Sequence, residues 1–256
     1  MVKSDNIHFK MSPLQLRDIL IKVKDLVKID NRLVIKINNQ NILIFSFVGE
    51  SFKNIHAFKN YIFNTQDIMI VKDEILDSLI FVVKDGKKFY RILENFINYD
   101  IDINGKIYYD EDNYVNFITF DNKKLNTKII GGDPITISKD INIEDINYLM
   151  NIENSIFNFR IENVDFEKIR RMSIIDKIKK DVIYINIKDN KVLIGETKWH
   201  INLGDIEFNN MTISFPKDYF ISMNPKDFIL SYVFEGFILF KYDDYNLMII
   251  LETGSK

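Results

Sequence analysis

The strongest constraint on what this chain can fold into is a sixteen-residue stretch that occurs twice. GKIYYDEDNYVNFITF (residues 105–120) lies over GFILFKYDDYNLMIIL (residues 236–251) at a constant offset of 131, with five identities. The apolar pattern persists between those identities, and each copy reads as two β-rich runs about an acidic turn. The helix before each copy aligns as well, Phe89-Tyr90 against Tyr219-Phe220 at an offset of 130. Further back, YINIKDNKVLI (residues 184–194) lies over VIKINNQNILI (residues 34–44) at an offset of 150. Hairpins resemble one another, so one match would mean little. The same order of helix, hairpin, further strands, short helix and terminal hairpin in both halves makes duplication the reading. The expected fold is therefore α+β, in two similar domains.

The individual elements follow from local signals. Ser12 and Pro13 open a helix, with serine as N-cap and proline at the first helical position. Leu16, Ile19, Leu20, Val23, Leu26 and Val27 recur at helical spacing and face a core. Residues 33–48 form a hairpin about an Asn-rich turn, and residues 60–64, 67–71 and 79–83 read as strands. Asp85-Gly86 breaks the chain before a helix over residues 87–96. The polar stretch 121–134, with Gly131-Gly132 and Pro134, reads as an exposed connection. Domain boundaries are placed at 1–124 and 135–256, with 125–134 between them. In the second half ITIS (residues 135–138) reads as a strand and residues 142–151 as helix or loop. Residues 155–161 alternate like a strand, 164–180 read as a long helix, and 216–223 as a short amphipathic one.

Composition excludes several classes of function. With no cysteine there are no disulfides, thiolate metal sites or cysteine nucleophiles, which suits a reducing cytoplasm. No apolar run approaches the roughly 18 residues of a membrane span, and the N-terminus lacks an apolar signal region. There is no phosphate-binding loop: Gly131-Gly132 is followed by Asp-Pro. His8, His56 and His200 stand far apart without metal-ligand spacing. The clusters Asp110-Glu111-Asp112 and Asp243-Asp244 occupy the same hairpin turn in both copies and read as turn residues rather than cation ligands. Trp199 reads as a packing residue. No nucleophile elbow is present, so no enzyme, cofactor or metal is expected.

Charge is distributed unevenly. Formal net charge is −3, yet residues 13–28, 87–96 and 164–180 carry local charges of +2, +2 and +3, leaving −10 elsewhere. A helix-lined surface of this sign attracts a phosphate backbone, while acidic strands keep the chain soluble. The plainer alternative is that lysines solvate exposed helix faces.

Duplicated α+β halves, helices more basic than strands, and the closing pattern ISFPKDYF…FILFKYDDYNLMIIL resemble the DNA-polymerase sliding clamps. The nearest type has two domains per chain and three chains per ring, as in phages, archaea and eukaryotes. The resemblance implies a DNA clamp fold with antiparallel sheets outside and two helices per domain on an inner, basic face. It implies a homotrimeric ring that encircles double-stranded DNA without reading sequence and tethers a DNA polymerase for processive replication. It also implies loading by a clamp-loader ATPase and a cytoplasmic location, the host cytoplasm for a phage protein. On this sequence the DNA-facing residues would be Arg17, Lys24, Lys28, Lys87, Lys88, Arg91, Lys168, Arg171, Lys177 and Lys217. A partner-peptide groove would involve Leu125, Ile129, Ile130, Pro225 and Leu251, whose plainer reading is core or turn packing. Two departures stand out: residues 49–81 have no clean counterpart in the second half, and helix 216–223 is charge-neutral. The rival readings are a monomeric, one-sided processivity factor of the herpesvirus kind, a duplicated interaction protein without DNA, and an enzyme with an unfamiliar site.

Overall fold

The computed structural model describes residues 5–49, 55–71, 75, 77–133, 151–175, 182–196, 198–207 and 211–251. The chain divides into two compact units, Met1–Asn54 with Lys59–Asp140, and Ile55–Phe58 with Ile141–Lys256.

The first unit contains β1 (Asp5–Met11), α1 (Pro13–Leu26), β2 (Leu33–Ile37), β3 (Asn41–Gly49), the part of β4 (Ile55–Asn64) from Lys59 onward, and α2 (Thr65–Ile68). It continues through β5 (Ile70–Val71), β6 (Leu79–Val83), α3 (Gly86–Glu94), a 3-10 turn (Asn95–Asn98), β7 (Ile103–Tyr109), β8 (Val115–Asp121) and β9 (Asn126–Ile130). α1 forms where the local code places it. Ser12 Oγ accepts from the Gln15 N–H at 3.3 Å and Gln15 Oε1 accepts from the Ser12 N–H at 2.8 Å, a closed capping box ahead of Pro13. Leu16, Ile19, Leu20, Val23 and Leu26 are buried, and Val27 packs against the edge of the same core. That core also takes Phe81, Phe89, Leu93, Phe96 and Phe120, so α1 and α3 lie on one apolar mass, side by side.

Five strands order as β5-β1-β7-β8-β9, antiparallel throughout, and four more as β4-β3-β2-β6. Two readings of the sequence shift here. Within residues 67–71 only Ile70–Val71 pair as a strand; the preceding Thr65–Ile68 close one helical turn, because Asn64 Oδ1 accepts from the Gln66 N–H at 3.0 Å. The stretch read as an exposed connection contains β9, whose Asn126–Ile130 pairs with β8 over five residues.

The second unit contains a 3-10 turn (Ile152–Asn154), β10 (Phe157–Glu162), α4 (Asn163–Ile175), β11 (Val182–Lys188), β12 (Lys191–Glu196) and β13 (Trp199–Asp205). β14 (Met211–Pro216), α5 (Lys217–Ile221), β15 (Phe228–Val233), β16 (Phe237–Tyr242) and β17 (Tyr245–Ile250) complete it. Its strands order as β10-β15-β16-β17 and β13-β12-β11-β14. The readings at 135–138 and 142–150, and the end of the long helix at 176–180, lie outside the described residues. Four fully buried rings, Phe166, Phe215, Phe220 and Phe240, meet at centroid distances of 5.2–5.7 Å. Burial corrects one register: Phe89 and Phe220 are the buried partners, so the short helices align at the same 131 as the hairpins rather than at 130.

Both acidic clusters sit in hairpin turns. Asp110 Oδ1 accepts from the Asp112 and Tyr114 N–H groups, both at 3.0 Å, and Asn113 and Asp243 hold the positive φ values of 64° and 48° that such tight turns need. Among the described residues no group of three or more His, Asp or Glu could hold a metal ion. Nor is any described helix long and apolar enough to cross a membrane.

Candidate nucleic-acid interface

α1 and α3 each bury one side in the same core, so their opposite sides face solvent together. On α1, Arg17 and Lys24 are exposed, in a stripe that also shows Leu14 and Ile21, and Lys28 is exposed two residues beyond its end. On α3, Lys87, Lys88 and Arg91 are exposed and no aliphatic side chain joins them. The two helices are tied end to start by one residue. Asn31 accepts from the Gly86 N–H through its backbone oxygen at 2.6 Å and from the Lys87 N–H through Oδ1 at 2.9 Å. Its Nδ2 donates to Asp85 Oδ1 at 3.1 Å. A Cβ at Gly86 would lie 2.5 Å from Val27 Cγ1, so this approach requires glycine. Asp85 caps α3 by accepting from the Lys88 N–H at 2.9 Å. That bond, then the Asn31 contact and the charges of Lys88 and Arg91, hold its carboxyl below the usual range.

The cations are not equally available. Lys28 pairs with Asp25 at 2.8 Å, and the other Asp25 oxygen accepts from Lys59, which is fully buried in β4. Burial lowers the Lys59 pKa to about 8 against the opposing pull of Asp25. Asp25, despite its own burial, is held low by Lys59 and Lys28. Arg17, Lys24, Lys87, Lys88 and Arg91 make no ion pair among the described residues.

The second unit differs. On α4, Lys168 pairs with Asp165 at 2.8 Å and Arg170 with Glu167 at 3.1 Å, while Arg171 is exposed without an ion pair among the described residues. Beside it stand the exposed aliphatics Val164, Met172, Ile174 and Ile175. Lys177 lies outside the described residues. Lys217, at the start of α5, is buried, with Nζ 3.5 Å from the Ser173 carbonyl oxygen of α4. Its stem fills space under the helix, and the ammonium faces protein rather than solvent.

The groove residues occupy different settings. Leu125 is half-buried in the β8–β9 turn, Ile129 is in the first-unit core, and Ile130 is 73% exposed. Pro225 is buried and Leu251 half-buried in the second unit, where the Leu251 N–H donates to the Gly236 oxygen at 2.9 Å. Ile129 and Ile130 line a pocket of about 280 Å³ that also takes in Lys84, Lys88 and Lys128. Sequence reasoning missed Lys84 and Lys128. The signal for Lys128 was the alternation Thr127-Lys128-Ile129, which places it opposite buried Ile129.

No family model matches this chain, and no curated protein matches it. Solved structures do. A DNA polymerase III beta subunit from Eubacterium rectale superimposes with a TM-score of 0.68 at 13% identity, over 98% of this chain and 66% of that one. The fold is that of a sliding clamp. The beta subunit from Borrelia burgdorferi gives 0.65 at 16% identity over 97% of this chain and 65% of that one. The Helicobacter pylori beta clamp bound to a DNA ligase peptide gives 0.62 at 10% identity, over 97% and 66%. This chain thus spans about two-thirds of the length of the clamps that it matches.

Proposed function

We infer that this chain is a sliding clamp that encircles duplex DNA and tethers a replicative DNA polymerase. The observation that carries the reading is the set of five exposed, unpaired cations on the adjacent faces of α1 and α3, displayed by a clamp fold. They suit phosphate contact without base readout: Lys and Arg neutralise a backbone in a sequence-independent way, which permits sliding. Nothing in the reading calls for catalysis.

The chain acts as two clamp-like domains, 1–124 and 135–256, joined through 125–134, and three copies close a ring. Edge strands supply the contacts: β9 ends the five-stranded sheet and β13 ends the sheet β13-β12-β11-β14, so each copy offers two different edges for a head-to-tail pairing. Leu125, Ile129, Ile130, Pro225 and Leu251 contribute to the seat for partner peptides, as a clamp neighbour holds a ligase peptide. An ATP-driven loader opens the ring, in the host cytoplasm if the source is a phage. Lys168, Arg171 and Lys177 add to the duplex-facing set.

Native mass by light scattering tests this first. Each chain is 30.4 kDa, so a trimer weighs about 91 kDa. A 91 kDa species retained on circular but not linear duplex DNA is the expected result. A strict monomer at all concentrations overturns the ring. The concentration of exposed cations on the first unit then favours the second reading, a monomer that holds duplex on one face.

A further inference from the structure

The five-stranded sheet of the first unit has a second face, turned away from the core on which α1 and α3 pack. Ile7, Phe9, Ile103, Ile107, Ile118, Phe120 and Ile129 point inward, and the alternating residues point out. The register aligns the outward residues in three rows across β1, β7, β8 and β9. One row is Asn6, Tyr108, Phe117 and Ile130; the next is His8, Lys106, Thr119 and Lys128; the third is Lys10, Asn104, Asp121 and Asn126.

The first row sets two aromatic rings side by side. The Tyr108 and Phe117 rings stack at 4.3 Å with 22° between their planes, close to the spacing of neighbouring strands, so both stand upright on the sheet. Lys128 Nζ lies 3.6 Å from the Phe117 ring centroid, arriving from β9. The remaining face of the half-buried Tyr108 looks over β1 toward the short, exposed Asn6. Beside it, His8, Asn104, Lys106, Tyr108, Lys123 and Asn126 line a groove of about 350 Å³. That is within the range of small-ligand sites, about 300–1,000 Å³.

The charge around this groove is positive. Lys106, Lys123, Lys124 and Lys128 are exposed. The carboxylate among them, Asp121, accepts from the Lys123 N–H at 2.7 Å and from Asn126 Nδ2 at 3.3 Å. Lys10 is paired with Asp102 at 2.6 Å. The acidic turn Asp110-Glu111-Asp112 follows directly on β7, two residues beyond Tyr108, so the positive zone runs from Lys106 and Lys128 away from it, toward Lys123 and Lys124.

We propose that this outer sheet face binds single-stranded nucleic acid, one base stacking on Tyr108 and its phosphates meeting Lys106, Lys123 and Lys128. An open ring face flanked by cations takes an unpaired base, because only a single strand presents base faces. A duplex offers phosphates alone and gains nothing from Tyr108. The proposal is independent of ring formation, and the surface is separate from the α1–α3 face.

The test is fluorescence anisotropy of labelled oligo(dT), oligo(U) and a duplex of equal length, with wild type, Y108A, Y108F and K106E/K123E. Single-strand affinity falls about tenfold or more in Y108A, is kept in Y108F, and falls in K106E/K123E with a shallower salt dependence. Duplex retention is unchanged in all three. The ratio of oligo(dT) to oligo(U) binding reports which of the two strands is preferred, and Tyr108 dependence with either supports the assignment. Absence of single-strand binding at low salt, or Y108A binding as wild type does, overturns it. So does loss of single-strand binding on reversing Arg17, Lys24, Lys87 and Arg91, which assigns that activity to the helical face. Native mass reports separately on the ring.

Discussion

The two helix pairs, α1 with α3 and α4 with α5, have the same place in a duplicated chain and opposite surfaces. In the first unit the long helix is capped, the short helix runs for nine residues, and its cations stand on exposed positions. In the second, the long helix ties two of its cations to its own carboxylates and exposes aliphatics. The short helix is five residues long, lacks a side-chain cap, and buries its lysine. Among the described residues α4 carries three cations, as α1 does, yet only Arg171 is exposed without an ion pair, where α1 and α3 together present five. Formal charge along a chain therefore measures the supply of cations, whereas neighbouring carboxylates and burial decide how many face outward.

The sharpest way to break the comparison is through what anchors each short helix. Phe220 touches three other buried rings, and α5 has no cap to share the load. Phe220→Ala should cost about 4–5 kcal/mol, and Phe89→Ala, in a helix also held by Asp85 and Asn31, about 3 kcal/mol. Urea unfolding of both variants checks the order; equal losses would show that the caps contribute nothing.

Next comes the surface itself. Reversing Arg17, Lys24, Lys87 and Arg91 to Glu should weaken duplex binding about 100-fold or more and lower the salt exponent by about 3–4. Reversing Lys168 and Arg171 should cost less than about tenfold, and Lys217→Met should leave duplex binding unchanged. Filter binding across a salt series measures all three. A loss from the second-unit pair as large as that from the first would erase the distinction drawn here.

The smallest effect concerns the lysine buried under each long helix: Lys59 meets the Asp25 carboxylate, Lys217 a neutral carbonyl. Lys59 ionises at about 8 in the folded chain against 10.5 unfolded. Between those values the unfolded chain holds more protons, so this group raises stability as pH climbs from about 8 to 10.5. Thermal midpoints should show that rise in wild type and not in Lys59→Met. The Asp25 contribution has the same sign in a lower window, present above the unfolded carboxylate pKa and lost as pH falls through its lower folded value.

Much of this architecture is legible locally. The α1 start is written in Ser12, Pro13 and Gln15, because a capping box needs only near neighbours. The hairpins are written in period-2 runs about Asn- and Asp-rich turns. What the sequence hides is set by distant partners. β9 is five residues of mixed polarity whose strand character comes from pairing with β8. Lys217 looks like a surface cation because its long stem gives no sign that a core will accept it. The Tyr108–Phe117 stack depends on cross-strand register, which no periodicity within either strand reports. Among the candidate site residues, the cations of α1 and α3 were readable because helical spacing separates them cleanly from Leu16, Ile19 and Phe89. The settings of Leu125, Ile129, Ile130, Pro225 and Leu251 were not, because the burial of each is set by partners distant along the chain.

Asn31 has a mechanical consequence. Its three bonds to Asp85, Gly86 and Lys87 join the end of one cation-bearing helix to the beginning of the other. The two rows of charge are thereby mounted on a single hinge-free plate. A sideways load on one row is shared by the other, and is carried by the two helices together and not by any one side chain.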